Sequence, residues 1–180
     1  MDPFATLGLP REFALDSEGL ERRYRDLQRA LHPDRHVNAT PAERRVALGK
    51  AVEVNEAYRV LKDDVRRAES LLGLLGHVAV KDSAVDPELL MEVMELRESL
   101  SEAKQAKDLA RVRKLTSQVQ SLATVTSREL AAAFVELPPG GAASALAKPA
   151  ALLSKLKYYK RFLDEVNVIE DDALSWTKVG

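Results

Sequence analysis

The 180-residue sequence predicts an all-α protein: an N-terminal helical hairpin flanked by short helices, joined to a C-terminal three-helix bundle. Three observations carry this expectation. Ala, Leu, Glu, Lys and Arg are abundant while aromatic residues make up only 5%, a palette that favours helices over sheets. Apolar residues recur three and four positions apart along most of the chain, and no useful length alternates as a strand would. Start and stop signals punctuate that pattern at intervals suited to ordinary helices. With 46% apolar and 31% charged residues, the chain has the composition of a folded protein able to bury a core.

The first long helix opens after Asp16 or Ser17 and places Leu20, Tyr24, Leu27 and Leu31 on one face, with Arg22, Arg23, Arg25 and Arg29 on the others. It stops before Pro33, because the residue ahead of a proline is pushed out of the α region. After a loop from His32 to Ala39, Thr40-Pro41-Ala42-Glu43 reads as a capping box with proline at the first helical position. The helix it opens carries Ala47, Ala51, Val54, Tyr58 and Leu61 and ends near Asp63. Short helices at Pro3 to Leu7 and Val65 to Leu75 cover the open side of this hairpin, and Gly76 ends the second of them.

Residues 1–76 thus form a first domain and 77–86 a connector. In the second domain, 87–180, Asp86 caps a helix with Pro87 at its first position and a stripe of Leu89, Val93, Leu96 and Leu100. A longer helix is expected from about Lys104 to Leu137, followed by a break at Pro138-Pro139-Gly140-Gly141. The last helix, about Pro149 to Val166, presents Leu152, Leu156, Tyr159, Leu163 and Val166. Residues 167–180 have no evident place in the pattern.

Composition excludes several function classes. Lys plus Arg is 27 against 28 Asp plus Glu, so no global field draws the chain to nucleic acid or a membrane surface. No cysteine is present, which removes disulfides, thiolate metal ligands and a cysteine nucleophile. No run is long and apolar enough for a bilayer span, and the start MDPFATLGLPREF lacks the basic-then-apolar order of a secretory signal; the expected location is the cytoplasm.

The chemistry concentrates in His32-Pro33-Asp34, between an Arg-bearing helix and a second amphipathic helix. Proline fixes the backbone, so that His32 and Asp34 project from a stiff corner and Asp34 offers a carboxylate for bidentate pairing with a partner's arginine. The plain alternative is a helix-ending turn with solvated side chains; the two flanking helices and the arginines favour docking. A metal site at His32, Asp34 and His36 is disfavoured by the proline and by the lack of further ligands. A His32–Asp34 catalytic dyad is disfavoured because the loop is expected to be convex and exposed.

The helix–HPD–helix arrangement resembles the J-domain of DnaJ-type co-chaperones. MDPFATLGLP, YRDLQRALHPDR, VNEAYRVLKDDVRRAESLL, LLMEVMELRESL and KYYKRFLDEV together resemble the iron–sulfur co-chaperone family of HscB, over most of residues 1–166. Departures are modest: Asp64 stands where a proline often follows the third helix, and Ser70 where an aromatic is usual. The resemblance implies docking on a DnaK-type ATPase chaperone, usually HscA, through His32, Pro33, Asp34, Arg22, Arg25, Arg29 and Arg35, with stimulation of ATP hydrolysis. It also implies that the C-terminal bundle binds the iron–sulfur scaffold protein IscU and delivers it for cluster transfer. No catalytic centre, resident metal or cofactor is implied on this chain. The nearest alternative, a general J-protein presenting misfolded clients to DnaK, is disfavoured because no Gly/Phe-rich linker or Cys-rich module follows.

The second domain carries its own signal. Leu90, Met91 and Met94 lie off the main stripe of their helix and are flanked by Glu95 and Glu98. A helix with two apolar faces is either central in its bundle or offers one face to a partner, and methionine suits an adaptable contact. Phe162 falls about 100° from its stripe neighbour Leu163 and is expected as an exposed aromatic anchor. In the resembling family the scaffold-binding patch maps onto Leu90, Met91, Met94, Glu95, Glu98 and Phe162. A helical nucleic-acid binder using Arg22, Arg25 and Arg29 is the third reading, weakened by five acidic residues against one arginine over residues 86–98.

Overall fold

The computed structural model describes residues 1–32, 34, 39–77, 86–138 and 143–176. Pro33, Arg35 and His36 of the loop, residues 78–85 of the connector and most of the Pro-Pro-Gly-Gly break lie outside the described residues. The described secondary structure is entirely helical, and the chain divides into two compact units, Met1–Val78 and Ala79–Gly180.

In the first unit, α1 (Pro3–Leu7) is capped by Asp2, whose carboxylate accepts from the Phe4 and Ala5 amides at 3.0 and 3.1 Å. It ends at Gly8, whose φ of 65° suits a residue without a Cβ. The Arg23 guanidinium lies across Gly8 and donates to the Leu7 carbonyl at 2.9 Å, tying α1 to the next helix. That helix, α2 (Ser17–Ala30), is capped by Asp16. Both halves of the expected capping box form at α3 (Pro41–Lys62): Thr40 receives the Glu43 amide at 3.3 Å, and Glu43 receives the Thr40 amide at 2.7 Å.

Asp63 ends α3 and caps α4 (Asp64–Leu74). Arg67 secures this corner from inside. Its guanidinium donates to the Leu61 carbonyl, pairs with Asp64 at 2.6 Å and lies 4.8 Å from the Phe13 ring centroid. The core of the unit is Phe4, Leu7, Phe13, Leu20, Val54, Ala57, Leu61, Ala68, Leu71 and Leu72, so all four helices and the segment ahead of α2 contribute.

The second unit packs α5 (Pro87–Gln105), α6 (Leu109–Val135) and α7 (Ala147–Trp176) around Leu96, Leu100, Ala103, Val112, Val119, Tyr159, Phe162, Val166 and Ile169. Two boundaries differ from the sequence expectation. The α5–α6 break falls at Ala106-Lys107-Asp108, not ahead of Lys104, which sits in the last turn of α5. The Lys107 amide bonds to the Lys104 carbonyl and the Asp108 amide to the Ala103 carbonyl, a glycine-type helix ending made with lysine at φ 53°. Asp108 then caps α6. No glycine marks this turn, which hid it from a reading based on stop signals. Substituting glycine at Lys107 is expected to stabilise the protein by about 1 kcal/mol, seen as a raised melting temperature, because a left-handed conformation strains an L side chain.

The other difference is α7, which runs on to Trp176 and takes in most of the segment that the pattern left unplaced; Ile169 is 3% exposed and belongs to the core. Among the described residues no helix is long and apolar enough to cross a membrane.

Candidate partner-binding surfaces

The corner after α2 is built from the two helices that flank it. Leu31 ends α2, and beyond it His32 and Asp34 both face solvent, with side chains 59% and 87% exposed. The Asp34 amide donates to His32 Nδ1 at 3.3 Å, while the Asp34 carboxylate stands 3.5 Å from the same nitrogen. Among the described residues no other charged or hydrogen-bonding group engages this carboxylate.

Beside the corner lies an open groove of about 660 Å³, lined by Arg25, Gln28, Arg29 and Leu31 of the α2 side, His32 and Asp34 of the corner, and Ala51 and Asn55 of α3. A convex loop was expected, and the difference arises because α3 passes alongside. None of its described lining residues carries a hydroxyl or a thiol. Its floor is held by a polar chain: Gln28 donates to the Tyr24 hydroxyl at 2.6 Å, and that hydroxyl donates to Asn55 Oδ1 at 3.1 Å. The Tyr24 and Tyr58 rings stack 3.9 Å apart. Gln28, Ala51 and Asn55 were missed in the sequence because each is silent until α2 and α3 are laid side by side.

The arginines of α2 are exposed, but they are not bare charges. Arg22 pairs with Asp16 and Glu18 at 3.3 and 3.2 Å, Arg25 pairs with Glu21, and Arg29 lies 3.7 Å from Asp26. Pairs this exposed contribute about 0.5 kcal/mol or less each, so an incoming carboxylate can displace the local one at little cost. They also cancel much of the helix's far field. Arg23, with its bond to Leu7, serves the fold.

In the second unit, α5 divides cleanly. Leu89, Val93, Leu96, Leu100 and Ala103 are buried, whereas Leu90, Met91 and Met94 are 46%, 63% and 62% exposed on the opposite side. Glu95 and Glu98 are exposed beside them. The result is a flexible apolar patch with acidic neighbours. Phe162 requires a correction: it is 2% exposed and lies in the core, so its ring is not a surface anchor. The reason is the position of α7 against both α5 and α6. A helix with two packing partners buries a face wide enough to hold Phe162 and Val166 on one flank and Leu153 and Leu156 on the other, with Tyr159 between them.

Glu92 fixes the rotation of α5. Its two carboxylate oxygens accept the hydroxyl proton of fully buried Tyr159 at 3.0 and 3.1 Å, and Lys155 approaches to 3.9 Å. Burial, reinforced by the bond and charge of Glu92, pushes the Tyr159 pKa far above its ordinary value. The folded state holds this proton more tightly than the unfolded chain does. The stabilisation is therefore complete below the unfolded tyrosine pKa, about 10, and fades as pH rises above it. Tyr159→Phe is expected to cost about 1–2 kcal/mol near neutral pH and to flatten the alkaline limb of a melting-temperature profile.

Comparison with known proteins agrees with this two-part construction. Residues 2–69 match the model of the DnaJ domain, and residues 85–167 match that of the HSCB C-terminal oligomerisation domain. The structure of chaperone HscB from Vibrio cholerae is 33% identical, with a TM-score of 0.81 over 96% of this chain and 99% of that one. The chain belongs to the HscB family of co-chaperones. The human co-chaperone HscB structure aligns with a TM-score of 0.83 at 25% identity, covering 94% of this chain and 82% of the human one. The Co-chaperone protein HscB homolog of Ralstonia nicotianae is 46% identical over 108 residues, a match that spans 61% of that relative's length. The N-terminal unit of this HscB-family chain is thus a J-domain, the module in which the exposed corner at His32 and Asp34 lies.

Proposed function

We propose that this protein holds the iron–sulfur scaffold protein IscU on its C-terminal bundle, docks through its J-domain on a DnaK-type chaperone of the HscA kind, and stimulates that chaperone's ATPase in the cytoplasm, promoting cluster transfer. The observation that carries this reading is the weakly engaged carboxylate of Asp34 at the mouth of a groove. A planar guanidinium entering that groove meets Asp34 in a bidentate pair, with the charge-assisted strength that a solvated carboxylate leaves available. Arg22, Arg25 and Arg29 then exchange their carboxylates for the partner's, and Pro33 and Arg35 complete the loop contact.

On the other unit, Leu90, Met91 and Met94 offer apolar surface to the scaffold, with Glu95 and Glu98 at the rim selecting a basic neighbour. Phe162 supports this function from beneath, as a core side chain of α7 packed with α5 and α6. The nucleotide and the cluster both belong to partners, so the chain contributes binding and geometry alone. The test is steady-state ATPase turnover of a purified HscA-type chaperone with the protein, with IscU, and with both. The expected result is stimulation by the protein alone and a greater-than-additive rate with both; additive rates would refute the coupling.

A further inference from the structure

Apart from its first residue, the chain keeps all its sulfur in one place. Its three methionines are Met1, Met91 and Met94, and it has no cysteine. Met91 and Met94 stand three residues apart on α5, so their thioethers are neighbours on one helix face, 63% and 62% exposed. The buried stripe of the same helix, Leu89, Val93, Leu96, Leu100 and Ala103, contains no sulfur, and neither does the core it forms with α6 and α7. An oxidant acting on this unit therefore meets the exposed patch and leaves the packing alone.

That placement decides what oxidation would do. A thioether needs no deprotonation to react with a peroxide, only access. With hydrogen peroxide the sulfur loses two electrons and takes one oxygen atom, the O–O bond breaks, and the other oxygen leaves as water. A flexible apolar side chain becomes a polar one whose S=O oxygen only accepts hydrogen bonds. The helix offers that oxygen no donor close by. Exposed Glu88 and Glu95 flank Met91, and exposed Glu98 lies one turn beyond Met94, all acceptors when ionised. Arg97, three residues beyond Met94, lies 3.9 Å from Glu165. A sulfoxide covered by a docked partner is left without a donor from this chain, which costs affinity.

We propose that Met91 and Met94 form a paired peroxide-oxidation site, and that their conversion to sulfoxides loosens the scaffold from the patch while the fold and the J-domain stay intact. The inference rests on the scaffold-binding reading and deepens it, because it makes that same patch the oxidant-responsive part of the molecule. A thiol-dependent reductase reverses the step: the sulfoxide oxygen leaves as water, two thiols become a disulfide, and the thioether returns.

In the test, the full chain is treated with dilute hydrogen peroxide, the excess is destroyed with catalase, and only then is IscU added, so that IscU never meets the oxidant. Peptide mapping is expected to show one added oxygen at Met91 and one at Met94, with the melting temperature unchanged. Calorimetric titration is expected to show IscU binding weakened about tenfold, and restored by a pair of methionine sulfoxide reductases, one for each sulfoxide epimer. Stimulation of the chaperone ATPase without IscU stays at the untreated level. Met91→Leu/Met94→Leu, whatever its own affinity, is expected to bind IscU equally well before and after treatment. Loss of affinity by that variant on treatment, resistance of Met91 and Met94 at a dose that oxidises free methionine, or unchanged IscU affinity of a fully oxidised chain would each overturn the proposal. In the last case Leu90→Gln/Met91→Gln/Met94→Gln separates the two readings: loss of IscU binding leaves the patch standing without its oxidation response, and normal binding overturns both.

Discussion

Asp34→Asn is expected to abolish stimulation of the chaperone's ATPase while leaving the melting temperature and scaffold binding unchanged. The substitution is nearly isosteric, and the side chain is too exposed to contribute to the core. The Asp34 amide keeps its bond to His32 Nδ1, so the corner keeps its shape. What is lost is one negative charge facing a partner's guanidinium. Removing one member of a desolvated charge pair costs about 2–5 kcal/mol, which corresponds to a loss of at least about thirtyfold in the docked state. The check is chaperone ATPase turnover at saturating protein, alongside a thermal melt of the variant.

The second large effect separates two residue sets that the sequence alone had joined. Changing Leu90, Met91 and Met94 together to glutamine is expected to weaken IscU binding at least about a hundredfold without loss of stability, because all three are exposed and glutamine keeps the helix. Phe162→Ala is expected to behave oppositely. Deleting a ring from the packed core costs about 3–5 kcal/mol of folding stability, and scaffold binding falls only in proportion to the unfolded fraction. Calorimetric titration with IscU and thermal melts of the two variants distinguish these outcomes. A Phe162→Ala protein that stays fully folded yet fails to bind would restore the surface role.

Much of the fold was legible because helix signals are local. Asp16, Thr40 with Glu43, and Asp86 all cap the helices expected of them, and Leu89, Val93, Leu96 and Leu100 are buried as their spacing required. The failures share a cause. Whether Phe162 faces core or solvent depends on how many neighbours α7 has, and the α5–α6 break depends on Lys107 accepting a left-handed conformation that its own sequence does not advertise. Both are decided by tertiary packing.

The site was legible to the same degree. The exposure of His32, Asp34, Leu90, Met91 and Met94 is what a loop between two helices and a helix with too many apolar residues for one face lead one to expect. The groove, the pairing of α2's arginines with their own carboxylates, and the Tyr159–Glu92 lock all need side chains from elements placed together.

The central claim is that one chain couples cargo to an ATPase by carrying both contacts itself, which raises their effective concentration. Complementation in trans tests it most directly. Asp34→Asn protein, which keeps the cargo patch, is mixed with the Leu90→Gln/Met91→Gln/Met94→Gln protein, which keeps the corner, and ATPase turnover is measured with limiting IscU. The account predicts that the mixture gives no more than the sum of its separate activities, while the parent chain at the same concentration gives the full synergistic rate. Recovery of that rate by the mixture would contradict it.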